Sequence, residues 1–108
     1  MKQPEKSMKN TFKIIWTDRA LSDLRNIVTY LEENWTVKEI QKFARLLELQ
    51  LNRLINHPFL FPESNKFKKI RKSVLTRQIS IYYRVINNEI QIISLFDNRQ
   101  NPKKLNKI

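Results

Sequence analysis

Arg71, Tyr82, Arg84, Asp97 and Arg99 of this 108-residue chain stand on or just beyond predicted strands and carry groups that can bind or act on an anion. A guanidinium takes a phosphate or carboxylate through two parallel hydrogen bonds. A tyrosine hydroxyl can pass a proton and a carboxylate can accept one. Lys68 and Lys69 add positive charge beside Arg71. The tools of other chemistries are absent from the sequence. There is no cysteine and a single histidine, His57, so neither thiolates nor a histidine cluster can hold a metal. There is no glycine, so no glycine-rich loop wraps a phosphate. No metal and no cofactor are expected.

The formal net charge of +11 is unevenly spread. Residues 1–10 carry +2, residues 66–72 carry +5 and residues 98–108 carry +4, while the remainder is neutral. Such segregation points to an anionic partner, nucleic acid or an acidic protein. The chain is long enough for one domain, and its 41% apolar and 29% charged residues suit a globular one. No run approaches the roughly 20 apolar residues of a membrane span, and the first ten residues lack a secretory core. The cytoplasm is the expected location, with no membrane partner.

The elements that must position these groups can be read from periodicity. Residues 1–10 have none and are expected to form a disordered leader. Phe12, Ile14 and Trp16 alternate in a strand, and Ile15 gives it a second apolar face, which predicts a central place in a sheet. Thr17 is an N-cap candidate before a helix from about Asp18 to Asn34, with Leu21, Leu24, Ile27, Val28 and Leu31 on one stripe. Thr36 to Glu39 forms a capping box. The helix behind it carries Ile40, Phe43, Ala44, Leu47, Leu51, Leu54 and Ile55, and it stops before Pro58. Pro58 to Pro62 is an apolar loop expected to tuck under the sheet.

Lys68 to Leu75 reads as a strand. Arg77 to Arg99 reads as a β-hairpin turning at Asn87-Asn88, because asparagine tolerates positive φ. On that register Val85 faces Ile90, Tyr83 faces Ile92 and Ile79 faces Phe96. The opposite, mixed face would carry Gln78, Tyr82, Arg84, Gln91 and Asp97 with Ile93 and Leu95. The order β-α-α-β-β-β predicts an α+β domain over residues 11–98, two layers deep, with a helical hairpin on a small antiparallel sheet. Residues 99–108 form a basic tail. A plain structural alternative exists for the polar groups: Asp97 and Arg99 would form a surface ion pair closing the hairpin, worth at most about 1 kcal/mol, and Arg84 would pair with Gln91 across the strands.

Four stretches, IIWTDRALSDLRNIVTYLEENW, KEIQKFARLLELQLNRLINHPFLFPE, KIRKSVLTRQISIYYRV and EIQIISLFDNRQNP, follow one another in a familiar order. Within them stand W-x-x-x-A-x-x-D-L at Trp16, Ala20, Asp23 and Leu24, and I-x-Y-R-V from Ile81 to Val85. Over roughly residues 11–102 the chain resembles the RelE/ParE superfamily, toxins of bacterial type II toxin–antitoxin systems. The resemblance implies a growth-inhibiting protein silenced by a cognate antitoxin, whose binding segment would be acidic.

Two activities come with the resemblance. RelE-like members cut messenger RNA on the ribosome without a metal, using clustered Lys and Arg. ParE-like members poison DNA gyrase. Metal-free RNA cleavage must deprotonate a 2′-hydroxyl, neutralise the phosphorane and protonate the leaving oxygen. Arg71 and Arg99 occupy positions where the RelE branch binds phosphate, with Arg84, Lys68 and Lys69 as further cations. The C-terminal tyrosine of that branch is missing here. Asp97 stands where many relatives carry histidine, and an ordinary carboxylate is a poor proton donor at pH 7. Tyr82 is the one hydroxyl left to serve. The capped helical hairpin with its NHPFLFPE exit looks ParE-like. The reading that follows is a gyrase inhibitor, with the ribosome-dependent endonuclease as its alternative, and a cationic surface around Arg71, Arg84 and Arg99.

Overall fold

The computed structural model describes residues 12–99; the expected leader and most of the basic tail lie outside them. The order is β1 (Lys13–Trp16), α1 (Asp18–Asn34), α2 (Val37–Asn56), β2 (Arg71–Val74), β3 (Ile79–Ile86) and β4 (Glu89–Asp97). The helical hairpin covers one face of a four-stranded sheet ordered β1-β4-β3-β2. Ile27, Leu31, Phe43, Leu47 and Leu54 of the helices meet Ile79, Ile81, Tyr83, Ile90, Ile92 and Leu95 of the strands in one core. Each such side chain contributes about 1.5–3 kcal/mol by leaving water.

The helix starts follow the local chemistry. The Thr17 hydroxyl accepts from the Ala20 N–H at 3.1 Å. Thr36 and Glu39 form the reciprocal capping box. Asn87 sits at φ 55° in the β3–β4 turn, where the sequence placed the turn.

Three expectations change. β1 lies at the edge of the sheet and runs parallel to β4, so the sheet is mixed. The apolar second face of β1 is therefore partly bare, with Ile15 38% exposed. β2 begins at Arg71, not Lys68. The Ser64 hydroxyl accepts from the Lys66 and Phe67 N–H groups, and the Glu63 carboxylate accepts from the N–H of Lys69. Lys69 itself adopts φ 62°. Those local bonds satisfy the backbone as a turn and take it out of the ladder.

The third change is in the hairpin. Val85 faces Ile90 and Tyr83 faces Ile92 as expected, but Tyr82 then pairs with Ser94, leaving Ile93 as the extra residue of a bulge. Beyond it every side chain of β4 changes face. Ile79 faces Asp97 instead of Phe96, and Ile81 faces Leu95. Leu95 and Asp97 thus join the helix side, while Phe96 joins Tyr82 on the other.

The first turns of α1 hold the bulge. Thr17 Oγ1 donates to the carbonyls of Ile92 and Ile93 at 2.9 and 3.2 Å. The Asp23 carboxylate accepts from Ser94 Oγ at 2.6 Å and from the Leu95 N–H at 3.1 Å. Asp23, one of the residues of the W-x-x-x-A-x-x-D-L stretch, therefore satisfies the backbone donor of Leu95, two residues past the bulge.

Candidate functional site

Arg71 faces the helix side of β2, opposite Tyr83. Its Nη1 donates to the carbonyl of Phe61 at 2.6 Å and more weakly to that of Phe59 at 3.4 Å. The guanidinium also lies 5.2 Å from the centre of the Phe59 ring. Beside it, the buried Tyr83 hydroxyl donates to the Pro58 carbonyl at 2.8 Å. Burial pushes this phenol up to about 12, although Arg71 and the Phe61 backbone pull the other way. Arg71 and Tyr83 together fasten the loop from Pro58 to Pro62 to the sheet.

Arg84 is exposed on the opposite face. Its Nε donates to Gln91 Oε1 at 3.0 Å, and Gln91 donates on to Glu89 at 3.2 Å. This is the cross-strand pairing expected as the structural alternative. Lys68 and Lys69 are exposed in the turn before β2.

Arg99 and Asp97 form a closed pair. Arg99 Nε and its backbone N–H both reach Asp97 Oδ1, at 2.8 and 2.9 Å, and Nη2 binds Oδ2. The guanidinium lies 4.6 Å from the Tyr30 ring centre and 5.8 Å from that of Trp35, a cationic group against aromatic faces at the end of α1. Asp97 is only 4% exposed. Its burial raises the carboxyl, but the side-chain and backbone hydrogen bonds and the charge of Arg99 outweigh that and hold it below the ordinary value. It is ionised at neutral pH and has no proton to give.

Tyr82 lies on the face away from the helices, in a small cluster with Phe96, Phe67 and Ile70. The Phe67 ring meets it edge-on at 6.2 Å. Among the described residues its hydroxyl has no hydrogen-bond partner. It borders an open cleft of about 630 Å³ shared with Phe61, Lys66, Lys72 and Val74. Burial raises the phenol, so it is protonated at pH 7 and unsuited to be a base.

The expected cationic surface around Arg71, Arg84 and Arg99 is therefore not assembled. Arg71 faces the helix layer and Arg84 the open face. Arg99 stands two residues beyond Asp97, whose partner Ile79 is five residues of β3 away from Arg84, about 17 Å along the strand. The bulge accounts for part of this, since it moves Asp97 off the face of Tyr82. Among the described residues no cluster of three or more acidic or histidine side chains could hold a metal, and no helix is long and apolar enough to cross a membrane.

Sequence reasoning missed the loop after α2. Phe59 and Leu60 do not tuck under the sheet; each is 60% exposed, while Pro58 is buried and Phe61 half-buried. The signal was Pro58 itself: proline favours the second position of a turn, and the Leu60 N–H closes that turn on the His57 carbonyl at 3.1 Å.

Comparison with known proteins agrees with this architecture. Among curated protein sequences none matches the chain. Among solved structures, the chromosomal ParDE system of P. aeruginosa superposes with a TM-score of 0.69 at 21% identity, over 82% of this chain and 97% of that one. A YoeB/ParE toxin from Agrobacterium tumefaciens gives 0.60 at 13% identity, over 80% and 98%. The E. coli DinJ-YafQ toxin–antitoxin complex gives 0.58 at 10% identity, over 82% and 94%. These likenesses establish the fold. The family described as "ParE toxin of type II toxin-antitoxin system, parDE" matches residues 14–102, most of the chain and all of its elements but the first residue of β1. With the fold in agreement across nearly the same span, the chain belongs to the ParE toxin family of type II toxin–antitoxin systems, within the RelE/ParE superfamily.

Proposed function

We propose that this toxin arrests growth by binding DNA gyrase and does not cut messenger RNA. The observation that supports this most is the commitment of its arginines to the protein itself. Arg99 is held by Asp97, Arg71 by two loop carbonyls and Arg84 by Gln91. A nuclease of the RelE kind needs cations converging on one phosphate with a base and an acid beside them. Here Asp97 is ionised and enclosed, and Tyr82 is a neutral phenol remote from Arg99. Binding a protein target requires none of that machinery.

The cognate antitoxin is the second partner. Its acidic segment would complement the +5 segment of residues 66–72. An amphipathic helix of the antitoxin fits the apolar groove of about 310 Å³ between α1 and α2, lined by Leu24, Val28, Ile40, Ala44 and Leu51. The test is a gyrase supercoiling assay with purified toxin. Inhibition in proportion to toxin, relieved by stoichiometric antitoxin, is the expected outcome. Full supercoiling activity at a large molar excess of folded toxin would refute the gyrase reading.

A further inference from the structure

The loop from His57 to Pro62 has a fastened backbone and bare apolar side chains at its centre. Its backbone is fastened at four places. The Leu60 N–H binds the His57 carbonyl, the Tyr83 hydroxyl binds that of Pro58, Arg71 binds that of Phe61, and the Lys72 N–H binds that of Pro62 at 3.1 Å. Yet its two central side chains, Phe59 and Leu60, point into solvent, each 60% exposed. Neither belongs to a core cluster. The Phe59 ring is steadied from the sides, by the Phe12 edge at 6.5 Å and by Arg71.

We propose that Phe59 and Leu60 form a preformed plug by which this toxin docks on its protein target, and that the target receives it in an apolar pocket rimmed by carboxylates. This rests on the reading that the toxin acts by binding a protein. A rigid loop has little conformational entropy left to lose on association, so apolar contact made by its tip converts to affinity with little discount. Large apolar side chains seated in a pocket are the usual energetic centre of an interface. The charge around the tip sets the rim. The Arg71 guanidinium lies 5.2 Å from the Phe59 ring centre, and the neutral carbonyls it binds leave its positive charge uncompensated beside the tip. A protein is favoured over nucleic acid because Leu60 has no ring to stack on a base. Arg71, the nearest guanidinium, is already bound to carbonyls.

The test compares wild type with the single variant Leu60→Ser and the double variant Phe59→Ser/Leu60→Ser, each as the full chain. Survival after induced expression, affinity for gyrase, affinity for the antitoxin and affinity for duplex DNA are measured on all three. The double variant is expected to bind gyrase at least ~30-fold more weakly and to lose most of its killing, with antitoxin affinity within about 3-fold of wild type. Leu60→Ser, whose side chain packs on nothing in the core, should show the same trend with an unchanged melting temperature. Arg71→Lys keeps the charge but loses the Nη1 that donates to the Phe61 and Phe59 carbonyls, and should cost about 5-fold in gyrase affinity through a looser loop.

Variants that kill and bind gyrase like wild type would overturn the plug. So would loss of antitoxin binding with killing retained, or a loss that follows affinity for duplex DNA. If wild type itself does not bind gyrase, the gyrase reading falls separately. The plug is then judged on survival, and undiminished killing by the double variant rejects it.

Discussion

Arg99→Ala is expected to lower the stability of the domain by about 3 kcal/mol, enough to drop its melting temperature by roughly 15 °C. The cause is Asp97, which is 4% exposed and whose oxygens are both bound by Arg99. Removing one member of a buried pair leaves the other charged and unsolvated. The figure sits at the lower end of that range because the Arg99 side chain remains 33% exposed. The pH dependence separates this from other causes. In the wild type the Asp97 carboxyl lies below its ordinary value. Its contribution is therefore complete above pH ~3.9 and is lost as pH falls below that. In Arg99→Ala, burial acts alone and raises the carboxyl, so the deficit is full at neutral pH and shrinks as the group protonates. A double variant, Asp97→Asn/Arg99→Gln, removes both charges and should recover most of the loss. Urea unfolding at pH 7 and pH 4 checks both signs. A deficit under 1 kcal/mol, or one that grows on acidification, would show the pair to be ornamental. Loss of killing by Arg99→Ala alone consequently says nothing about catalysis; killing by the charge-free pair does.

Asp23→Ala is expected to cost about 2–4 kcal/mol. The substitution leaves the Ser94 hydroxyl and the Leu95 N–H without their acceptor, and Ser94 is fully buried. Each unsatisfied buried donor costs about 1–3 kcal/mol. Asp23→Asn keeps an acceptor oxygen and should lose less than half as much. Amide hydrogen exchange locates the effect: Leu95 should lose protection before the core of β3 does. Equal losses for alanine and asparagine would mean that the ion pair with Arg19 at 3.6 Å, not the bulge, is what Asp23 serves.

These two residues show where the sequence was legible and where it was not. Helix starts were readable because capping uses specific side chains at fixed spacing, Thr17 before Ala20 and Thr36 before Glu39. The hairpin turn was readable because few residues accept the φ that Asn87 adopts. The bulge was not. In Ile92-Ile93-Ser94-Leu95-Phe96 apolar side chains fall on both parities, so the alternation does not register the extra residue. The bulge is recorded instead at Asp23, a carboxylate about 70 positions away that reads as an ordinary surface acid on its helix. The edge position of β1 was hidden for a related reason: two apolar faces look the same on a central strand and on a partly covered edge. The site followed the register. Once Asp97 changed face, the candidates gathered by alternation were divided among three environments.

The claim that these arginines serve the fold and not catalysis is tested most directly by primer extension on RNA from cells sampled shortly after the wild-type chain is induced without its antitoxin. We expect growth to stop while transcripts remain uncut. Discrete cleavages within translated codons, appearing with arrest and absent when antitoxin is supplied, would contradict it.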